Sequence, residues 1–589
     1  MGDRAGLQPE ADEKLGQERI VTLVIIGGGL TGTSMLCQFV RQAHAFLKLR
    51  QGAPASVHVH VVEKQDFFGP GFPHSHQNAM PFHLINMCAR DMSILAADPE
   101  DFERWVNLHI NDMDSRFPGI VDNGASPDRD CHHYPRPVMG EYLKTRFSQA
   151  VNEAKRIGIR VHLHPGCEAI DVSESGEDRV RVTVLNLGSH ERRVHHADRV
   201  LLATGHWFYQ RQRDGYFPSP WPPDLLQENI PGGSDVAIIG TSLSAIDAVL
   251  TLTADGDFRQ SHSGELLYQP SLNPRRLFLY SRKALLPTVR GRTGPYRNQF
   301  MVRDKIQALI HEKGWLRLEE LFDLLNRDLQ NAYGRPFPWR EVTNPQGTTK
   351  ELLETHIHDA RHGDGPDGDI VWQTLLQQTF PMVRDIYLAL APAERMRLDG
   401  EFNTLFFVHA APMPIRNAEK LLALMNAGMV TVRKQIGETP FRRDELSFSF
   451  TFQDANGEAM EATHPYVVDA RGQSPSYATN HQTLAVNLLR SGTVEIEPRD
   501  RNIQALEDER SKPSRGRPPL VRNERGGLWI DPRTHRVRRT RADEGIEVSE
   551  RITAVGAMTR GQIIDASMAH GSAVSTDVVA REWVDYVFS

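Results

Sequence analysis

Residues 20–40 read IVTLVIIGGGLTGTSMLCQFV. The apolar run 21–26 has strand length, Gly27, Gly29 and Gly32 follow at once, and helical apolar spacing begins at Leu30. Glycines at that spacing allow a tight turn, close approach of backbone to a pyrophosphate, and packing of the helix on the strand with its N-terminus toward the phosphates. The stretch therefore predicts a strand, turn and helix that hold a dinucleotide. A second strand, VHVHVV at 57–62, ends on Glu63 and Lys64, where an acid accepts hydrogen bonds from an adenosine ribose. The acid comes later than the usual spacing of about 20 residues, because the helix and the loop 51–56 are long.

A chain of 589 residues is too long for one core, and its length corresponds to roughly three to four domains. Hydrophobic residues make up 40% and charged residues 24%, as in ordinary globular proteins. With a net charge of -7 and a pI of 6.4 there is no global positive field to recruit nucleic acid or an anionic membrane. Cys37, Cys88, Cys131 and Cys167 are scattered without a CxxC pair, which argues against a disulfide framework and a structural zinc site and fits a reducing, cytoplasmic setting. Residues 1–19 are polar and charged and read as a mobile tail, neither signal peptide nor anchor. No apolar run approaches the roughly 18 residues of a membrane span.

The loop after Glu63 is rich in Gly, Pro, His and Asn through Pro81, and residues 98–106 suit a capped helix. In a dinucleotide fold a loop leaving the second strand runs over the bound cofactor. From Val161 the text turns to short strands, VHLH, CEAIDV and VRVTV, a predicted meander feeding a buried strand that ends in Ala203, Thr204 and Gly205. A second fingerprint starts at Asp235, DVAIIGTSLSAIDAVLTL, with Gly240, Ser242, Ser244 and Ala245 where the first module has its glycine turn. The strand 277–280 then ends in Ser281, Arg282 and Lys283, positive charge of the kind that receives a 2′-phosphate.

Residues 295–400 interrupt this plan with helical stretches at 315–329 and 370–380 around the polar segment 356–369. His356, His358, Asp359 and His362 lack a closing ligand pair at a recognised spacing, so the segment reads as an exposed loop and no metal site is expected. A helix at 418–429, a hairpin turning at Asn456 and Gly457, and a buried strand ending at Gly472 repeat the earlier order. The chain closes with strand RITAVG, a turn at 557–561 and a last helix.

The stretches IIGGGLTGTSM, GPGFPHSHQNAMPFHLINMCARDMSI, YPRPVMGEYL, LLATGH, VAIIGTSLSAID, SRKALLP and AVGAMTRG resemble the FAD/NAD(P)-binding flavoprotein family akin to N-hydroxylating, class B type flavin monooxygenases, with the nitrosuccinate-forming aspartate N-monooxygenases the nearest in texture. The resemblance implies an α/β fold with two Rossmann-like dinucleotide-binding domains, for FAD and NADPH, carrying β-meanders and a helical insertion at about 295–400. It divides the chain into a tail (1–19), an FAD-binding first part (20–205), an NADPH-binding domain (232–472) and an FAD-binding closing part (473–589). Gly27, Gly29, Gly32, Glu63 and Lys64 carry over as FAD ligands, with Asn86 and Met87 beside the flavin and Ala203, Thr204, Gly205 and Gly556 along the cofactor. Gly240, Ser242, Ser244 and Ala245 carry over to the NADPH pyrophosphate, and Ser281, Arg282 and Lys283 to its 2′-phosphate.

The implied reaction is N-oxygenation of a small amine or amino acid by O2 at the reduced flavin, aspartate first. A carboxylate-bearing substrate needs bidentate arginines, and Arg290 and Arg292 are the first candidates, Arg416 and Arg90 the next. The rival reading is a non-oxygenating NAD(P)H-dependent reductase that passes electrons to a quinone or protein partner. Neither reading involves nucleic acid or membrane, and both are compatible with a homo-oligomer.

Overall fold

The computed structural model describes residues 20–49, 56–120, 131–174, 179–207, 214–365, 367–402, 408–437, 443–444, 447–454, 456–472, 476–500, 520–522, 526–541 and 545–588. The predicted tail 1–19 lies outside them. Strand β1 (Ile20–Ile26) runs through the middle of a six-stranded sheet and leads into helix α1 (Leu30–Leu49) and strand β2 (Ser56–Val62). Across the sheet the order is Arg536–Thr540, Ile546–Ala554, β7 (Arg199–Leu202), β1, β2 and β3 (Arg160–His164). All neighbours run parallel except the hairpin Arg536–Thr540 with Ile546–Ala554.

A parallel sheet needs cover on both faces, and the alternation of β1 supplies a hydrophobic face to each. Val21, Leu23 and Ile25 enter a core with α1 residues Met35, Leu36 and Phe39 and with Trp583 and Val584 of the closing helix Ala569–Phe588. Val24 and Ile26 face the other way, into a core shared with the meander β4 (Cys167–Glu174), β5 (Val180–Asn186) and β6 (Arg192–Ala197). Each such Val, Ile or Leu contributes about 1.5–3 kcal/mol of burial. The predicted meander included VHLH, but that strand is β3, paired parallel to β2. Its alternating text suits either partner; the register with β2 decides.

A second sheet repeats the plan with strands drawn from residues 216–469. Strand Asp235–Ile239 lies between Arg276–Ser281 and Tyr466–Asp469, parallel to both. Val430–Gln435 and Tyr216–Phe217 extend the parallel part, and the predicted hairpin appears as Ser447–Gln453 antiparallel to Ala459–His464. Between Arg276–Ser281 and Val430–Gln435 the chain makes helices, among them Arg303–Lys313, Leu318–Tyr333, Thr349–His362 and Val383–Ala389. The segment read as an exposed loop from His356 is helical to His362. Its start carries a capping box at Thr348 and Glu351, legible in the text TTKE. The predicted helix 98–106 is Asp101–Arg116, displaced and lengthened at its end.

Buried polar contacts join the two halves. Arg136, at the start of helix Arg136–Arg156, places Nη2 2.7 Å from Oδ2 of Asp247 in helix Leu243–Leu252. Nearby, Nε2 of His83 lies 3.0 Å from the Thr251 hydroxyl. The insertion reaches the closing part as well: Arg384 pairs with Asp565, and the Tyr387 hydroxyl donates to the Gly561 carbonyl at 2.8 Å.

Breaking the Arg136–Asp247 pair from one side strands the other charge in a site where Asp247 is 4% exposed. Asp247→Leu is expected to destabilise the protein by about 3–5 kcal/mol. Arg136→Met/Asp247→Leu should recover much of the loss, read as melting temperatures of the single and double variants.

Candidate dinucleotide sites

The site is built by strand register. In the first sheet Ile26 is level with Val62 and with Leu202, and Leu202 is level with Ala554. The residues that follow these four are Gly27, Glu63, Ala203 and Val555, so one carboxyl edge gathers the glycine turn, the acid, the Ala203–Gly205 end and Gly556. Ligands of open α/β sheets bind at this edge. The turn closes when Gly27 N–H donates to the Val62 carbonyl (2.8 Å). A Cβ on Gly27 would stand 2.2 Å from the Ala203 carbonyl oxygen, and one on Gly32 1.9 Å from the Gly27 carbonyl oxygen. Neither position admits a side chain.

Glu63 is buried, and both its carboxylate oxygens hold backbone: Oε2 accepts from Gly28 N–H at 2.7 Å and Oε1 from Gln65 N–H at 2.9 Å. Desolvation pushes its pKa up, against the pull of these amides. The acid thus clamps the glycine turn and has lone pairs left over for further donors. Lys64 points to the surface and pairs with Glu168 at 3.2 Å. Gly29 has a second task that sequence spacing does not reveal. The loop after β2 crosses the turn, with Gly69 N–H donating to the Gly28 carbonyl (2.8 Å) and Gly71 Cα 3.1 Å from where a Gly29 Cβ would stand. Gly556 meets Thr31 of α1, whose hydroxyl lies 3.1 Å from its Cβ position. Space is open around Gly205: apart from its chain neighbours, no atom of the described residues lies within 4 Å of a Cβ position. The glycine turn, the N-terminus of the 20-residue α1 and this gap fit the diphosphate of a dinucleotide.

The stretch that carries Asn86, Met87 and Arg90 is tied to the chain before helix Arg136–Arg156. Ile85 and Ala89 N–H donate to the carbonyls of Tyr134 and His132, both at 2.9 Å. Cys88 and Cys131 form a disulfide across 43 residues, contrary to the expectation from their spacing. The CxxC argument sees only near neighbours in sequence, whereas this pair meets through the ladder that joins Leu84 to Pro135. Both sulfurs belong to buried residues. Asn86 is exposed, Met87 packs against the first core, and Arg90 lies half-buried in the turn Ala89–Asp91.

Arg290 reaches this stretch from the other half of the chain. It is 7% exposed, and its charge joins burial in holding buried His133 down to about 3. Desolvation raises the Asp91 carboxyl while Arg90 and Arg290 together lower it. Arg90 and Arg290 therefore both act on Asp91. The other two arginines are engaged elsewhere: Arg292 is exposed and donates to the Asp367 carbonyl at 3.0 Å, and Arg416 shares Glu419 with Arg361.

In the second sheet Ile239 is level with Tyr280 and Asp469, so Gly240, Ser281 and Ala470 share an edge. Gly240 takes φ +111°, and its N–H donates to the Tyr280 carbonyl at 2.8 Å. Ser242 is exposed at the helix start with an extended backbone, Ser244 is half-buried, and Ala245 is fully buried. Thr241, unnoticed in sequence, ties the turn to the neighbouring loop through the Ser281 hydroxyl (3.2 Å) and the Leu285 carbonyl (2.6 Å). Arg282 and Lys283 project into solvent beside it.

Residues 24–207 match a FAD-NAD(P)-binding family model. Over 480 residues, 74% of this chain and 83% of the relative, the sequence is 23% identical to the uncharacterised protein YdhS of Escherichia coli K12. The fold is similar to that of reduced ornithine hydroxylase PvdA from Pseudomonas aeruginosa, with 12% identity, 96% of this chain and 99% of that one covered, and a TM-score of 0.50. Similar too is DfoA bound to FAD, a cadaverine monooxygenase of the desferrioxamine pathway in Erwinia amylovora (12% identity, 95% and 93% coverage, TM-score 0.48). At such identities the likeness is one of fold, an α/β scaffold with parallel sheets.

Gly29→Val is expected to give protein that does not retain FAD, seen as loss of flavin absorbance, and a lowered melting temperature even without cofactor, because the new side chain meets Gly71. Arg282→Ala/Lys283→Ala should raise KM for NADPH by about tenfold or more, the scale of one or two charge-assisted hydrogen bonds. NADH kinetics should stay nearly unchanged. Equal losses with both nucleotides would mean that the pair does not read the 2′-phosphate.

Proposed function

We propose that this chain is a FAD- and NADPH-dependent monooxygenase that places one oxygen atom of O2 on the nitrogen of a small amine or amino acid, with aspartate as first substrate, in a biosynthetic pathway. The observation that carries the reading is the pair of glycine turns, Gly27 and Gly240, each at the carboxyl edge of its own parallel sheet, with the charges of Arg90 and of buried Arg290 both acting on Asp91. Bound flavin supplies hydride acceptance from NADPH and activation of O2.

The chain's own residues bind, orient and shield. The Gly27–Gly32 turn and the start of α1 hold the first diphosphate, and Glu63 fixes that turn while accepting from the ribose. Gly240, Thr241 and Ser242 form the corresponding turn for NADPH, with Arg282 and Lys283 on its phosphate. Arg90 and Arg290 present guanidinium forks to substrate carboxylates. Two fixed positive charges also disfavour an ammonium beside them, so they favour the neutral amine that can attack as a nucleophile. No general base is required of the protein beyond that.

The deciding experiment is a panel of amines and amino acids with NADPH and O2 consumption followed alongside hydroxylamine, nitroso and nitrite products. Aspartate or another small amine should give oxygenated nitrogen in step with NADPH use. Substrate-independent oxidation that ends wholly in peroxide, or electrons passing to an added quinone, would instead make the protein a reductase. Arg290→Ala should raise substrate KM by about tenfold or more, as expected for lost carboxylate pairing in the ground state, and divert electrons to peroxide.

A further inference from the structure

Five histidines gather on the face of the first sheet that the meander covers. His58 and His60 alternate along β2, and His162 and His164 along the parallel β3, in a register that sets His60 level with His162 and Val62 with His164. Alternate residues of a strand share a face, so the four rings form a patch. Val62 of β2 enters the core beneath the meander, which identifies that face. β6 adds His195, whose ring centroid lies 4.8 Å from that of His60 and 5.0 Å from that of His164.

The nitrogens converge. His60 Nδ1 lies 3.0 Å from His164 Nε2, and one nitrogen from each of His60, His164 and His195 falls within 4.8 Å of the other two. Ligand nitrogens about 2.0–2.1 Å from a tetrahedral zinc ion stand roughly 3.3–3.4 Å apart, so small side-chain rotations suffice. Nε2 of His195 is buried without a hydrogen-bond partner among the described residues. All five rings are half-buried, within reach of an ion from solvent. Burial first, and the neighbouring imidazoles next, hold His60 down to about 3 and His164 to about 4. Neutral imidazoles move their single proton between ring nitrogens, so lone pairs can face an ion without loss of a proton. Two cations stand near: Arg160 is exposed, and Arg193 is held bidentately by Glu191 at 2.9 and 3.1 Å.

We propose that His60, His164 and His195 bind one divalent transition-metal ion of the zinc type, with the fourth coordination position open to solvent. Imidazole donors suit zinc, cobalt, nickel and copper ions over magnesium or calcium. His58 and His162, joined at 3.1 Å, lie beside the triad, the His162 ring stacked on that of His60 with centroids 4.5 Å apart. The site is separate from both dinucleotide edges yet mechanically linked to the first, because the His164 carbonyl accepts from Glu63 N–H at 3.1 Å. The sequence expectation of no metal weighed only His356–His362, and none of those residues belongs to a convergent group among the described residues.

The test uses chelator-treated, full-length protein titrated with cobalt(II) chloride, followed by zinc(II) chloride as competitor. The expected result is saturation at one equivalent with the intense visible absorption of tetrahedral cobalt, displacement by zinc, and a raised melting temperature on loading. His60→Asn and His195→Asn should each weaken binding by at least about tenfold, since loss of even an outer-shell partner costs 10–100-fold. His358→Asn/His362→Asn should bind as the unaltered protein does. X-ray absorption of the zinc-loaded unaltered protein, which does not depend on the variants folding, should show three imidazole ligands. Absence of saturable binding, binding that survives His195→Asn, or a spectrum with fewer than three imidazoles would overturn the proposal.

Discussion

The contact on which the rest depends is the one between α1 and the turn that precedes it. The Gly27 carbonyl oxygen lies where a Cβ of Gly32 would be, so the helix sits down on the strand end as closely as backbone allows. That closeness aims the unpaired N–H groups at the start of α1 along the carboxyl edge of the sheet. The space between Ala203 and Gly27 is likewise narrow enough that only glycine serves there. The acid of β2 then acts within the protein before it acts on any ligand, since Glu63 spends one oxygen on Gly28 N–H and the other on Gln65 N–H. A carboxylate placed there shapes the turn, and in the proposed reading it also accepts from the ribose.

The second module shows why two of its three glycines are dispensable. Gly240 stands at φ +111°, a backbone region open to glycine, and it is the one retained. Ser242 has φ -88° and ψ -171°, which any residue adopts, and Ala245 is absorbed into a core with Ile246, Val249 and Leu279. The turn is further secured by Thr241, which bonds the Ser281 hydroxyl and the Leu285 carbonyl. Replacement of the glycines is therefore a different solution to the same geometry, not a decayed one.

Function in the proposed reading depends on what the two halves bring to each other. Arg136 with Asp247 and His83 with Thr251 fix one half against the other, while Arg384 and Tyr387 of the insertion grip the segment after Gly556. Arg290 follows the second sheet's strand and is buried, and its charge acts on Asp91 and His133 of the disulfide-tied stretch of the first. A helical insertion that looked extraneous in the text thus helps hold the closing part of the chain where the first carboxyl edge needs it.

The sequence by itself determined the strands, the glycine turns and their order, because strand periodicity and the steric demands of a phosphate turn are local properties. Gly27, Gly32, Glu63, Gly240 and the hairpin at Asn456 and Gly457 were all legible for that reason. What only the tertiary structure decided was long-range. The Cys88–Cys131 disulfide closes over 43 residues, the pairing of Gly29 with Gly71 depends on how a loop falls back on the turn, and the charges of Arg90 and Arg290, 200 positions apart in the numbering, both act on Asp91. The histidine patch is the clearest instance. VHVHVV and VHLH each show alternation, but whether their imidazoles share a face depends on parallel register between strands separated by a hundred residues and on a third strand laid over them. Local text fixes which side of a strand a residue faces only relative to its own neighbours; sheet order and register, set by burial on both faces of the sheet, choose what it meets.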